Sequence, residues 1–200
     1  MDLLLPRRCA GCTAPGETLC PRCRHRLRRP PQRIFPPVDT HVPVFSLGEY
    51  ADTHRSVVLA MKERGNLAVR RPVGAVLAAA VLHLQVRGEL PETVTLVPAP
   101  TRARSARLRG GDHITDLCRA SGLPVTAALR HASTVADQVG LDASSRRRNL
   151  AGRVRLIARP ASAVLLVDDV VTTGSTVAAS AETLISAGGT VVGALVLAHA

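Results

Sequence analysis

The run Val164-Leu165-Leu166-Val167-Asp168-Asp169-Val170-Val171-Thr172-Thr173-Gly174-Ser175-Thr176 constrains the fold of this 200-residue chain more than any other segment. Four consecutive apolar residues read as a strand covered on both faces, and across 175–187 the apolar spacing shifts to that of a helix. The turn between them combines two carboxylates with hydroxyls and a glycine. A helix start leaves backbone N–H groups unpaired and carries partial positive charge. A phosphate resting on Thr172, Thr173, Gly174, Ser175 and Thr176 therefore meets ready donors. Asp168 and Asp169 can only accept hydrogen bonds at neutral pH, which suits the 2′- and 3′-hydroxyls of a ribose 5-phosphate, directly or through magnesium. No G-x-x-x-x-G-K-[ST] or G-x-G-x-x-G follows an expected strand, so those two phosphate loops are excluded.

Strands are expected at 93–98, 164–167 and 190–197, helices at 52–64, 68–86, 111–121 and 175–187, and a strand or hairpin at 42–50. Alternation of this kind predicts an α/β domain, a parallel sheet with helices on both faces. Hydrophobic residues make up 46% of the chain and charged residues 20%, which is globular rather than disordered. Phe35, Phe45 and Tyr50 are the only aromatics, so the core is built from Val, Leu, Ile and Ala. The same scarcity removes any serial platform for stacking single-stranded bases. The apolar run at 73–86 is short for a membrane span and contains His83 and Gln85, and Leu3-Leu4-Leu5 is too short for a signal-peptide core. The expectation is a cytoplasmic chain without membrane insertion.

Cys9-x-x-Cys12 and Cys20-x-x-Cys23 place four thiols within a short segment near the start. Two such turns present the four soft ligands of tetrahedral zinc, and four thiolates leave no open position for a reacting water, so the metal would be structural. Redox chemistry or an unordered reducing tail are the alternatives. His25 stands close enough in sequence to be a substitute ligand, and the fifth cysteine, Cys118, falls in a helical pattern that would bury it. Pro30-Pro31 and Pro36-Pro37 read as a stiff linker or an extended crossing. Residues 1–35 are thus expected to form a zinc-knuckle module and 42–200 the α/β domain.

The formal charge is +11, and Lys62 is the only lysine, so arginine supplies nearly all of the positive charge. Arginine's planar fork suits phosphates, while a compositional bias toward arginine is an equally good account of the excess. Clusters fall at 22–33, 102–109 and 146–148; the first either touches nucleic-acid phosphates or is a solvated face. Between them, Val97-Pro98-Ala99-Pro100 leads from a strand into an arginine-rich loop bearing Arg102 and Arg109 and closed by Gly110-Gly111. That loop suits a pyrophosphate. Ligands of open α/β sheets bind beyond the carboxyl ends of strands, which would bring it to the same cleft as Asp168. The polar, poorly periodic stretch at 130–150 is a candidate lid that would keep water from a reacting C1 centre.

The Asp168 run resembles the phosphoribosyl pyrophosphate (PRPP) motif of type I phosphoribosyltransferases, an acidic pair and a Thr-Thr-Gly-x-Thr loop after a hydrophobic strand. Together with the four cysteines, Met61-Lys62-Glu63-Arg64-Gly65, Val97-Pro98-Ala99-Pro100, the Arg109-Gly110-Gly111 turn and the 138–149 segment, it resembles the ComF family, also called GntX-like, over nearly the whole chain. Where that family usually reads Arg-Gly-Phe-Asn-Gln, this chain has Arg109-Gly110-Gly111-Asp112-His113. The resemblance implies a type I phosphoribosyltransferase-like sheet behind a small zinc module, and a magnesium-dependent, PRPP-binding activity. Asp168 and Asp169 would be the catalytic pair, with 172–176, Arg102 and Arg109 on the PRPP phosphates. Family membership also implies a role in DNA uptake and competence, with competence-machinery proteins as partners. The alternatives are a noncatalytic DNA-associated module and a PRPP sensor; nucleic-acid binding is expected to be weak and nonspecific.

Overall fold

The structure, a computed structural model, describes residues 7–62, 66–101, 112–132 and 154–200. The chain runs through α1 (Pro21–Leu27), β1 (Gln32–Ile34), β2 (Val44–Ser46), α2 (Asp52–Lys62) and α3 (Arg70–Val86), the last entered through a 3-10 turn, Leu67–Val69. It continues through β3 (Thr95–Pro98), α4 (His113–Ala120), β4 (Leu129–His131), β5 (Val154–Leu156), β6 (Val164–Val171), α5 (Ser175–Ser186) and β7 (Val191–His199). The main sheet has the order β1-β2-β7-β6-β3, parallel except for the antiparallel edge strand β1. β4 and β5 form a separate antiparallel pair. The α/β architecture and parallel sheet expected from the alternation are present.

Side-chain alternation sorts the apolar residues of the central strands into two layers. Leu96, Leu165, Val167, Leu195 and Leu197 face a core shared with α2, α3 and α4, while Val97, Val164, Leu166, Ala194 and Val196 face α5 and the β4–β5 pair. Cys9, Leu19, Cys23 and Leu27 belong to the first of these layers, alongside Val57, Met61, Val73 and Leu77. The cysteine-bearing segment is therefore packed into the core of the α/β sheet.

Two details go beyond the sequence. The proline-bracketed stretch is extended, as one of its two expected forms, and it also joins the sheet: Gln32, Arg33 and Ile34 pair with Ser46, Phe45 and Val44. A three-residue strand carries no measurable periodicity, and its ladder comes from a partner beyond the second proline pair. β6 also runs four residues past the apolar run, because Asp168, Val170 and Val171 stay in register with Val196, Ala198 and His199 of β7. Two carboxylates are poor strand formers by themselves, and the pairing overrides them.

Leu67–Val86 is the one stretch among the described residues long and apolar enough to cross a membrane, with a hydropathy of 1.5. Val69, Val73, Val76, Leu77, Val81 and Leu84 of this stretch are buried in the sheet's core. Gly74 lets α3 close against the end of α4, since a Cβ there would sit 2.5 Å from the carbonyl carbon of Ala120.

Candidate functional site

The Sγ atoms of Cys9, Cys12, Cys20 and Cys23 all lie within 4.8 Å of one another. A tetrahedral Zn–S distance of about 2.3 Å implies an S···S edge of about 3.8 Å, and Cys12 and Cys20 are 3.7 Å apart. Local structure sets this up. The Thr13 N–H donates to Cys9 O at 2.8 Å and the Cys9 N–H to Ala14 O at 2.8 Å, which curls the first pair of thiols inward. The second pair brackets the start of α1, with Cys20 at its N-cap.

Burial pushes the Cys9 thiol up, but the backbone N–H groups of Cys20, Gly11 and Cys12 outweigh it and bring Cys9 down to about 6. Cys23 is pushed up to about 12 by burial and by the neighbouring Cys12, Cys20 and Cys9. Four thiolates cannot gather in this space without a cation to offset their repulsion. The cysteines are positioned to bind a metal ion, and the site is compatible with a zinc module. His25 is exposed and lies outside the cluster. Cys118 is fully buried, as its helical pattern implied, and burial drives its thiol well above the usual range.

The second candidate site lies at the carboxyl end of β6. Asp169 follows Leu165 and Val167 toward α2 and α4, where its Oδ2 accepts from Lys62 Nζ at 3.0 Å and from the His113 Nε2–H at 2.7 Å. Its Oδ1 accepts the Val170 N–H at 2.7 Å. An acidic pair with both members open to ribose hydroxyls or magnesium thus does not form: Asp169 is 6% exposed, because the strand continues through it into the layer under the helices. Burial would raise this carboxyl, but the His113 hydrogen bond and the charges of Lys62 and His113 hold it below the ordinary carboxylate range.

Asp168 is differently placed. Its side chain is only partly buried, its Oδ1 accepts the Asp169 N–H at 2.8 Å, and among the described residues no cation lies within ion-pair distance. Burial first, and the adjacent Asp169 second, push Asp168 up to about 7. The two acids are adjacent in sequence and unequal in chemistry: one is neutralised in a buried cluster, while the other carries the titratable proton.

His113 reaches Asp169 because Asp112 starts α4 directly before it. The Asp112 Oδ1 accepts the N–H groups of Ile114 and Thr115 at 3.2 and 3.4 Å, and Oδ2 accepts the Thr115 hydroxyl at 2.7 Å. Thr101, shortly after β3, donates its hydroxyl to the same Oδ1 at 2.9 Å. Neither Lys62 nor His113 was singled out as a site residue from sequence. A single lysine, and a histidine where the resembling family carries glutamine, were the only available signals.

The 172–174 turn leads into α5 with Gly174 as the N-cap, in the left-handed region at φ +86° and with no side-chain cap. Thr172, Thr173 and Thr176 are exposed. Thr173 and Ser175 share a hydroxyl contact of 2.9 Å. The turn is clamped from outside: the Val38 N–H donates to Thr173 O at 2.9 Å, and a Cβ at Gly174 would sit 2.7 Å from Pro36 Cβ. β3 and β6 are parallel neighbours, so the loops that follow them leave the same edge of the sheet. Arg102 and Arg109 lie outside the described residues, as does 133–150 of the candidate lid; its first residues, Arg130 and His131, belong to β4.

This arrangement offers a partly exposed acceptor at a strand end, next to a hydroxyl-bearing turn at a helix start, where the Ser175 N–H donates to Thr173 Oγ1 at 3.4 Å. A scan against protein-family models found no match, and a search of curated proteins returned no relative.

Proposed function

We propose that this chain is a PRPP-binding, phosphoribosyltransferase-like protein of the ComF type, acting in the cytoplasm and carrying one structural zinc ion on Cys9, Cys12, Cys20 and Cys23. The observation that carries the reading is the carboxyl edge of β6 and β3. There Asp168 precedes a turn with exposed Thr172, Thr173 and Thr176 at the start of α5. Such a helix start holds a 5-phosphate on its free N–H groups, and Asp168 accepts from a ribose hydroxyl. Asp169 is the positioning member of the pair, fixed by Lys62 and His113. Magnesium, when bound with PRPP, would neutralise the departing pyrophosphate, and Asp168 is the carboxylate in place to hold it. A role in DNA uptake rests on the family resemblance alone.

Calorimetric titration with PRPP and magnesium tests the reading. We expect saturable binding that Asp168→Asn removes while the fold persists; undiminished binding by that variant would defeat the assignment. Pyrophosphate release across candidate acceptors then separates a transferase from a PRPP sensor. Metal analysis of protein purified under reducing conditions is expected to find one zinc per chain.

A further inference from the structure

A second basic feature lies away from the Asp168 edge. Between the cysteine-bearing segment and α3 is a cleft of about 520 Å³ whose charged lining is Arg7, Arg24, Arg28, Arg71 and Glu17. The four arginines come from three separate segments and converge on one hollow. Local structure fixes the backbone of Arg7 and the side chain of Arg24. The Gly16 N–H donates to Arg7 O at 2.8 Å, tying that residue to the metal-binding turn. Arg24 lies on α1 and Arg28 is its C-cap, whose N–H donates to Arg24 O at 3.0 Å, so the two stand on one face, and Arg24 Nη2 donates to Leu19 O at 3.4 Å. Arg71 lies one residue after Arg70, whose guanidinium is already spent on Asp116.

Among the described residues no carboxylate lies within ion-pair distance of Arg7, Arg24, Arg28 or Arg71, and Glu17 pairs with none of them. Two other arginines of the 22–33 run differ. Arg26 and Arg29 line another hollow together with Glu49 and Asp52, where the charges balance. Within the arginine run, then, Arg26 and Arg29 share a hollow with two carboxylates, while Arg24 and Arg28 line a cleft in positive excess. All four are exposed, so water screens their mutual repulsion, and their side chains are accessible to an anion that enters the hollow. Guanidinium forks match phosphate oxygens in pairs.

We infer that this cleft binds a compact polyphosphate anion of nucleotide size. The volume falls within the range of about 300–1,000 Å³ usual for small-ligand sites, and Leu19, Pro72 and Ala75 give it an apolar wall for an organic remainder. A nucleic-acid strand is disfavoured because its phosphates need a continuing basic track, and Arg26 and Arg29 share their hollow with Glu49 and Asp52. The site does not depend on the PRPP reading, since it shares no residue with the Asp168 edge.

The test is calorimetric titration of the zinc-loaded full chain with sodium tripolyphosphate, without magnesium, at about physiological ionic strength. One saturable site is expected. Its affinity should fall about tenfold or more in Arg28→Gln/Arg71→Gln, while Arg26→Gln/Arg29→Gln and Asp168→Asn bind like the parent. Arg7→Gln provides a second, milder lesion, and circular dichroism confirms that each variant is folded. Absence of saturable binding, or equal binding by the Arg28/Arg71 variant, overturns the inference. So does an oligothymidylate that binds through Arg28 and Arg71 without competition from tripolyphosphate.

Discussion

Asp168 and Asp169 answer differently to pH because their surroundings pull their proton affinities apart. The Asp168 carboxyl lies at about 7, above its ordinary value, through burial and the charge of Asp169. Between the ordinary value and about 7 the folded chain keeps a proton that the unfolded chain releases, so stability falls as pH rises through that window and stays low above it. Asp168→Asn removes this penalty. We expect the variant to melt higher than the parent at pH 8 and at the same temperature near pH 4; a lower melting temperature at pH 8 would make the residue structural. Asp169 is depressed and has the opposite sign, giving stability above its ordinary value that is lost as pH falls. His113→Leu should strip one of its partners and cost about 2 kcal/mol in denaturant unfolding, whereas His113→Gln keeps an N–H donor and should cost less than about 1 kcal/mol. Equal losses in both would mean that His113 matters for packing rather than for its bond to Asp169. None of this was legible in the residues around Asp168. The chain brings Lys62 and His113 to Asp169 only through the docking of α2 and α4 on β6, and sequence spacing cannot report such a meeting.

At the scale of elements, the 172–174 turn and the cysteine turns both depend on neighbours distant in sequence. Gly174→Ala combines a left-handed φ with a Cβ pressed on Pro36, and we expect a loss of about 1–3 kcal/mol along with weaker PRPP binding. Wild-type stability in that variant would show that the 36–40 segment yields easily. The cysteine turns share a core with α2 and α3. Metal removal or Cys20→Ser should therefore lower the melting temperature of the α/β domain itself, in a single cooperative transition. A separate early transition with an unchanged main one would show that the first segment is energetically independent. The helices were legible because α2, α3 and α5 carry their apolar periodicity locally, and β7 because it is nine residues long. The metal ligands were legible because spacing alone specifies them. β1 was not, since three residues between proline pairs become a strand only when Val44, Phe45 and Ser46 lie beside them.

The whole molecule carries a formal charge of +11, which a four-thiolate zinc centre would reduce to about +9. Such a surface attracts nucleic-acid backbones whatever their sequence, with log affinity falling against log salt by about 0.9 per duplex phosphate contact. We expect DNA binding at low salt that largely disappears near physiological ionic strength, measured by fluorescence anisotropy. Salt-resistant or sequence-selective binding would rank a DNA-associated role above the PRPP reading.

The strand between the two proline pairs has one further consequence. β1 is an outer edge of the five-stranded sheet, and an open edge invites pairing with a second chain. Here the edge is only three residues long, antiparallel to a parallel sheet, and bounded by Pro30-Pro31 and Pro36-Pro37, none of which has an N–H to offer. A neighbouring molecule that tried to extend the ladder would run out of donors within one turn of the pleat. The segment that ties the cysteine turns to the sheet thus also ends the sheet, and guards a highly charged protein against growing strand by strand into fibres.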